Sequence, residues 1–89
     1  MKQHIVRFGG ENCTIEFASY PNGRVAIRLW YSEGPMGTAT VNIPEYDLLP
    51  GEVIIKAYSE NEGMLEALVK AGIVKDTGKR AHSGYITAP

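Results

Sequence analysis

The residues that could do chemistry in this 89-residue chain are few and widely spaced. His4, Cys13 and His82 are its only imidazole and thiol groups, and their separations match no zinc-binding spacing. Cys13 could act as a nucleophile only beside a base and a group that orients that base. Because it alternates with the apolar Ile15 and Phe17, we expect a small, buried side chain instead. The sequence predicts neither a metal site nor a cysteine-based active site.

A second chemically capable group is the acidic cluster of Glu60, Asn61 and Glu62. Two nearby carboxylates could bind a cation or share the acid and base roles of an enzyme. Helix capping also accounts for them, because Ser59 followed by Glu62 forms a capping box and acids stabilise the positive end of a helix. Gly63 costs on the order of 1 kcal/mol in a helix, which indicates close approach by a strand or by a ligand. Helix capping thus accounts for the acidic cluster, and the sequence predicts no metal site or cysteine-based active site. For these reasons we predict that the protein is not an enzyme and needs no cofactor.

The segment from Lys75 to Tyr85 is basic, rich in small residues and bounded by an aromatic residue. It contains Asp76-Thr77-Gly78-Lys79-Arg80, which lacks the upstream glycine and the following helix of a phosphate-binding loop and is therefore better explained as a flexible basic turn. The segment suits docking on an acidic surface, a nucleic acid or a nucleotide whose base stacks on the tyrosine. A solvated loop is the alternative. The candidate binding residues here are Lys79, Arg80, His82 and Tyr85.

Composition narrows the possible partners and the cellular compartment. Nine Lys and Arg against ten Asp and Glu give a net charge of -1, which disfavours general nucleic-acid binding but leaves room for a local patch. A single cysteine excludes a disulfide within the chain and favours a reducing compartment. The first residues, MKQHIVRF, hold too short an apolar run for a signal peptide, and no segment reaches the length of a membrane span. We expect a cytoplasmic protein that does not contact a membrane.

Glycine and proline punctuate the chain at short intervals, a pattern typical of antiparallel strands. We predict one α+β domain over residues 1–89, with an antiparallel sheet of about five to six strands and one α-helix, about 60–71, on one face. The predicted strands are His4–Phe8, Cys13–Tyr20, Arg24–Tyr31, Thr38–Ile43 and Glu52–Ala57, followed after the helix by short strands at Ile73–Lys75 and Tyr85–Thr87.

The hairpin around Pro21-Asn22-Gly23 can be predicted to its register. A three-residue loop pairs Phe17 with Ile27 and sets Glu16 beside Arg28, a favourable pair of opposite charges. A two-residue loop would mix apolar and charged side chains on one face. The longer loop is therefore preferred. The predicted core holds Val6, Phe8, Ile15, Phe17, Val25, Ile27, Leu29, Val41 and Ile43, covered by Met64, Leu65, Leu68 and Val69 of the helix.

The end of the helix can also be predicted from the sequence. Gly72 suits the left-handed residue that stops a helix, with Ile73 folding back on Leu68. Glu66 and Lys70 are four residues apart with the acid first, which favours a solvent-side pair.

The face of the sheet opposite the helix presents Arg28 and Trp30. Tryptophan and arginine are enriched at binding hot spots, so these residues are candidates for partner binding. The alternative is that the loop Glu45–Pro50 covers Trp30, with Leu48 and Leu49 as a lid. An exposed edge strand or the Trp30 face could also support a homodimer.

The stretch YSENEGMLEALVKAGIVKDTGKRAHSGYITAP, the last third of the chain, resembles a family of small proteins of phages and conjugative elements of gut bacteria. The matching features are the SENEGM and AGI helix, the TG turn and the SGY strand. The resemblance implies a mobile-element protein made inside a bacterial cell, where such proteins often bind host defence components such as CRISPR–Cas machinery. It implies no catalytic or binding residue at any numbered position. We therefore predict a non-enzymatic inhibitor that binds a host protein or ribonucleoprotein effector.

Overall fold

The computed structural model describes residues 5–81 and 83–89, so the predictions that concern His4 and His82 lie outside the described residues. Within these ranges the chain forms strands, a 3₁₀ turn and an α-helix. The strands are β1 (Ile5–Phe8), β2 (Glu11–Ser19), β3 (Val25–Tyr31), β4 (Gly34–Thr38), β5 (Thr40–Val41), β6 (Val53–Ile55), β7 (Lys75–Ala81) and β8 (Gly84–Ala88). The 3₁₀ turn spans Ser59–Asn61, and the helix α1 spans Met64–Lys70.

The strands form two antiparallel sheets of four strands each, a first sheet in the order β1-β2-β3-β4 and a second sheet in the order β5-β6-β8-β7. The α+β class with antiparallel pairing is confirmed, and the single sheet of five to six strands is wrong. The chain changes sheets at Ala39, whose N–H donates to Ile27 O while its own carbonyl accepts from Lys56 N, each at 2.8 Å. One predicted strand, Thr38–Ile43, is thereby divided between two sheets.

The β2–β3 hairpin has the predicted register. Ile15 pairs with Leu29, Phe17 with Ile27, and Glu16 with Arg28. Tyr20 N donates to Arg24 O at 2.7 Å, which closes the three-residue loop. Local turn chemistry and side-chain alternation were sufficient here because both strands are adjacent in the chain.

The helical segment lies where it was predicted, but it begins differently. Ser59 has a φ of 57°, and no side-chain hydrogen bond caps either the 3₁₀ turn or α1, so the predicted capping box is wrong. Gly63 stands immediately before α1 with a φ of 86°, in the left-handed region. A Cβ placed there would meet no atom within 4 Å, so close packing by a strand does not require the glycine. The backbone turn between the 3₁₀ segment and α1 requires it.

The end of α1 is the predicted glycine stop. Gly72 has a φ of 76°. Its N–H donates to Val69 O, and Ile73 N donates to Leu68 O, both at 3.0 Å. These two bonds satisfy carbonyls that the helix leaves unpaired, and they form a Schellman motif.

The core lies between the two sheets and is closed by α1, which packs against β1 and β7. Cys13 is fully buried, as predicted. Phe17 and Val69 were predicted as core residues, but their side chains are 60% and 42% exposed. The main apolar cluster consists of Val6, Cys13, Ile27, Leu29, Ala39, Val53, Ile55, Met64, Leu65, Leu68 and Val74.

Candidate functional site

The outer face of the first sheet carries Trp30 and Arg28, two of the predicted binding residues. Strand register places Trp30 beside Thr14 on β2 and Pro35 on β4, and Thr14 is in turn opposite Ile5 on β1. Trp30 is 37% exposed and Ile5 is 53% exposed. Since Val6, Cys13 and Leu29 point into the core, alternation along the strands directs this row of side chains outward. The row forms a partly apolar strip across the sheet.

The carboxylate of Glu16 contacts both Trp30 and Arg28 on the polar side of this strip. Trp30 Nε1 donates to Glu16 Oε1 at 3.1 Å, and Arg28 Nη1 lies 3.7 Å from the same oxygen. Thr14 Oγ1 donates to the backbone carbonyl of Trp30 at 3.5 Å. Arg28 and Glu16 keep about half of their side-chain surface in solvent, 51% and 49%. The carboxylate thus holds the edge of the indole while the ring and the guanidinium remain accessible.

The loop between β5 and β6 does not form the lid considered for Trp30. Arg24, the residue before β3, donates from Nη1 to Ile43 O at 2.7 Å and from Nη2 to Tyr46 O. The Tyr46 hydroxyl then donates to Arg80 O on β7 at 2.9 Å. The loop therefore crosses the outer face of the second sheet, where Ile54 is buried, and Leu49 is left 65% exposed.

The segment predicted as a flexible basic turn is instead the edge strand β7 with a bulge. Asp76 pairs with Thr87 and Arg80 with Tyr85, so three residues of β7 stand opposite Ile86 alone. Thr77 Oγ1 donates to Ile86 O at 2.7 Å, and Gly78 N donates to Asp76 Oδ1 at 2.9 Å. These bonds replace the ladder bonds that the bulge removes, and they give the segment a defined shape.

Lys79, a predicted binding residue, is engaged by an acid from the loop before β6. Its Nζ lies 2.8 Å from Glu52 Oε2, and the Glu52 side chain is only 5% exposed. Glu52 Oε1 also accepts a hydrogen bond from Leu49 N at 2.8 Å. The ammonium group, and after it the Leu49 amide, lowers the pKa of Glu52 below its ordinary value. Lys79 therefore supplies the positive charge that offsets the buried carboxylate of Glu52.

Arg80 and Tyr85 are brought together as a stacked pair. Arg80 Cζ lies 4.2 Å from the centroid of the Tyr85 ring, which is a cation–π contact between paired residues of β7 and β8. Arg80 Nη1 is also 3.6 Å from Asp76 Oδ1. Both residues line a cleft of about 390 Å³ together with Tyr58, which lies just after β6. Sequence reasoning missed Tyr58, since no local pattern connects it with a hairpin more than twenty residues later.

The acidic cluster is divided among separate structural contacts. Lys56 forms an ion pair with Glu60, and this bond is the main cause of a Glu60 pKa lowered to about 2. Asn61 is buried and donates from Nδ2 to Thr38 O at 2.9 Å. Within residues 5–81 and 83–89, no three or more His, Cys, Asp or Glu side chains are grouped so that they could hold a metal ion.

The predicted binding residues thus fall into separate places. Arg28 and Trp30 share the outer face of the first sheet, Arg80 and Tyr85 share the cleft, and Lys79 is held by Glu52. His82 lies outside the described residues. Ile5 was not among the predictions, although its alternation with buried Val6 is the signal that would have placed it beside Trp30.

Comparison of the chain with protein-family models, curated proteins and solved structures finds no match. The resemblance to proteins of phages and conjugative elements therefore stays a prediction. In the part of the chain that the structure describes, no helix has the length and apolar character needed to cross a membrane.

Proposed function

We propose that this protein is a non-enzymatic protein-binding module whose contact surface is the outer face of the first sheet. The observation that carries the proposal is the exposed indole of Trp30, held in one orientation by Glu16 beside the accessible guanidinium of Arg28. A side chain already held in place loses little conformational freedom when a partner covers it. The strip is thus prepared for binding before the partner arrives.

The chemistry of the face suits a protein partner with an apolar centre and acidic surroundings. Trp30 and Ile5 supply exposed apolar surface. Arg7, two residues after Ile5 on β1, donates from Nη1 to Asn12 Oδ1 at 3.1 Å, and together with Arg28 it supplies positive charge beside Glu16. Buried tryptophan and arginine side chains carry a disproportionate share of binding energy at protein interfaces. The partner surface that complements this face holds an apolar pocket for the indole and at least one carboxylate for a guanidinium.

The resemblance to proteins of phages and conjugative elements suggests what that partner is. A mobile-element protein that binds without catalysis fits an inhibitor of a host defence system in the bacterial cytoplasm, in the manner of an anti-CRISPR. The partner would be a host protein or ribonucleoprotein effector, and occupation of its working surface would block it. This identification depends on the resemblance, whereas the binding surface is argued from geometry.

The test is a pull-down from a host-cell lysate with tagged protein, followed by binding and DNA-cleavage assays with purified Cas effectors. Trp30→Ala and Arg28→Glu should lose the captured partner and the inhibition. Lys75→Glu, which makes the same charge change on the exposed strand β7, is the matched control and should keep both. If the wild-type protein neither binds nor inhibits any effector type, the defence-inhibitor identification fails. If a partner is captured equally well by all three variants, the proposed surface is wrong.

The alternative function is binding of a nucleic acid or nucleotide through the basic C-terminal segment. The ion pair between Lys79 and Glu52 weakens the polynucleotide form of this alternative, because it engages one of the cations that a polynucleotide would need. A Lys79→Ala plus Arg80→Ala variant should bind polynucleotide more weakly, with a smaller salt dependence, if the alternative is right. Unchanged affinity would remove it. A homodimer through the Trp30 face is a further alternative that sedimentation of wild-type protein and Trp30→Ala distinguishes.

A further inference from the structure

A cleft separate from the outer face of the first sheet lies at the end of the second sheet. It is lined by Tyr58 and Tyr85, by Arg80, and by the small residues Ala57, Ser83 and Gly84. Its volume of about 390 Å³ lies within the range of small-molecule sites. The small residues keep the floor open, and the aromatic and guanidinium groups supply the contacts.

Three other residues contact Arg80 on its side of the cleft. Its guanidinium lies over the Tyr85 ring at 4.2 Å and within 3.6 Å of Asp76 Oδ1. The backbone carbonyl oxygen of Arg80 accepts a hydrogen bond from the Tyr46 hydroxyl at 2.9 Å. These contacts orient the guanidinium, and the Arg80 side chain is still 56% exposed, so it is accessible to a ligand.

The Tyr58 side is also held from outside the cleft. Lys56 Nζ lies 5.1 Å from the centroid of the Tyr58 ring, and the same ammonium group is paired with Glu60. The ring is nevertheless 52% exposed. An exposed aromatic ring positioned by a neighbouring cation offers a surface on which a planar group can stack.

The charges around the cleft select the class of ligand. An amine or other cation is repelled by Arg80, and an apolar ligand would remove from water a guanidinium whose side chain is now 56% exposed. The chain as a whole has a net charge of -1, which disfavours a long polyanion. A small ligand with a planar ring and one anionic group meets neither obstacle.

We propose that the cleft between Tyr58, Arg80 and Tyr85 binds a mononucleotide, with the base stacked on a tyrosine ring and the phosphate bound by Arg80. Arginine recognises phosphate through charge-assisted hydrogen bonds, and a cleft of about 390 Å³ has room for one nucleotide. The site does not depend on the protein-binding function proposed above, because it shares no residue with the outer face of the first sheet.

The test is a calorimetric and NMR titration of the full chain with AMP, GMP, CMP and UMP. Adenosine and inorganic phosphate, the two parts of AMP, are titrated separately. At least one mononucleotide should bind and shift the resonances of Tyr58 and Tyr85, and each half should bind more weakly. Tyr58→Leu and Arg80→Gln should each weaken binding by about fivefold or more. Lys75→Gln removes a charge from the same strand outside the cleft and should leave the affinity unchanged.

Several outcomes would overturn the site. The absence of any shift at millimolar mononucleotide rejects it, and so does equal affinity in wild type, Tyr58→Leu and Arg80→Gln when circular dichroism shows all three folded. Binding of inorganic phosphate as tight as that of the nucleotide rejects the stacking role. Binding of single-stranded oligonucleotides with no detectable binding of mononucleotides rejects the assigned ligand size.

Discussion

Nζ of Lys79 lies 2.8 Å from Oε2 of Glu52, and the carboxylate side chain is 5% exposed. The contact joins the bulge of β7 to the loop that precedes β6, two segments separated by α1 along the chain. It gives Lys79 a structural role where the sequence had suggested a binding role. A partly buried acid of this kind depends on its cation, because desolvation without a partner is costly.

Lys79→Met should destabilise the protein by leaving Glu52 buried without its partner. The added variant Glu52→Gln should recover part of the loss, since a neutral side chain needs no counter-charge. Thermal unfolding of wild type, both single variants and the double variant measures the coupling. Lys75→Met, on the same strand but exposed, is the matched control and should leave the melting temperature close to that of wild type. A coupling of zero would show that the ion pair contributes nothing.

Acid should destabilise the fold through Glu52 and Glu60. The pKa of Glu52 is lowered from its ordinary value of 4.5 by Lys79, and that of Glu60 is lowered to about 2 by Lys56. A lowered native pKa means that the folded state binds the proton more weakly than the unfolded state. The stabilisation is therefore complete above pH 4.5 and is lost as the pH falls through the lowered native values.

The melting temperature between pH 7 and pH 2 tests this dependence. Glu52→Gln should reduce the slope below pH 4.5, whereas Glu60→Gln should change it less in high salt because that side chain is 66% exposed and screened. An unchanged acid slope in the Glu52 variant would show that other carboxylates dominate.

Gly72→Ala should destabilise α1, because the left-handed φ of 76° is unfavourable for any residue with a Cβ. The expected loss is about 1 kcal/mol in the free energy of unfolding, or about 4–8 °C in melting temperature for a domain of this size. Gly37→Ala is the control, since a Cβ there meets nothing within 4 Å and the backbone is outside the left-handed region. Equal losses in the two variants would contradict the role of the helix stop.

The Cys13 thiol should be almost unreactive in the folded protein. It is fully buried, and burial raises its pKa above the ordinary value of 9.0, which disfavours the reactive thiolate. Labelling with a thiol reagent should be slow in buffer and fast in denaturant, with a rate in buffer that follows opening of the fold. Fast labelling of folded protein would show that the β1–β2 region opens locally.

Trp30→Ala should impair partner binding while changing the stability of the fold only slightly. Its side chain is 37% exposed on the outer face, whereas Leu29, its neighbour in sequence, is fully buried. We expect Trp30→Ala to change the free energy of unfolding much less than Leu29→Ala, for which about 2–5 kcal/mol is typical. Denaturant titration of both variants, alongside the pull-down, provides the comparison. A large loss in Trp30→Ala would indicate a packing role for the indole.

The features predicted correctly from the sequence are local. The register of the β2–β3 hairpin follows from side-chain alternation across a short loop, and the stop at Gly72 follows from the conformational freedom of glycine. The predicted capping box of Ser59 and Glu62 failed although it is also local, because Ser59 has a left-handed φ of 57° and α1 begins only after Gly63. Several polar contacts were compatible with those few residues, and the surrounding fold selected among them.

The features that could not be predicted depend on residues far apart in the chain. Phe17 is 60% exposed although it pairs with the buried Ile27, and α1 packs mainly against β1 and β7. The cleft likewise joins Tyr58 with Arg80 and Tyr85, which no spacing in the sequence connects.

By itself, the sequence determined the α+β class, the antiparallel hairpin and the end of the helix, since these follow from backbone preferences and from alternation between neighbouring residues. Only the tertiary structure decided that the strands divide into two sheets at Ala39, that Lys79 compensates Glu52, and that Trp30 stays accessible beside Arg28. The physical reason is that burial and charge pairing depend on which distant segments share the core.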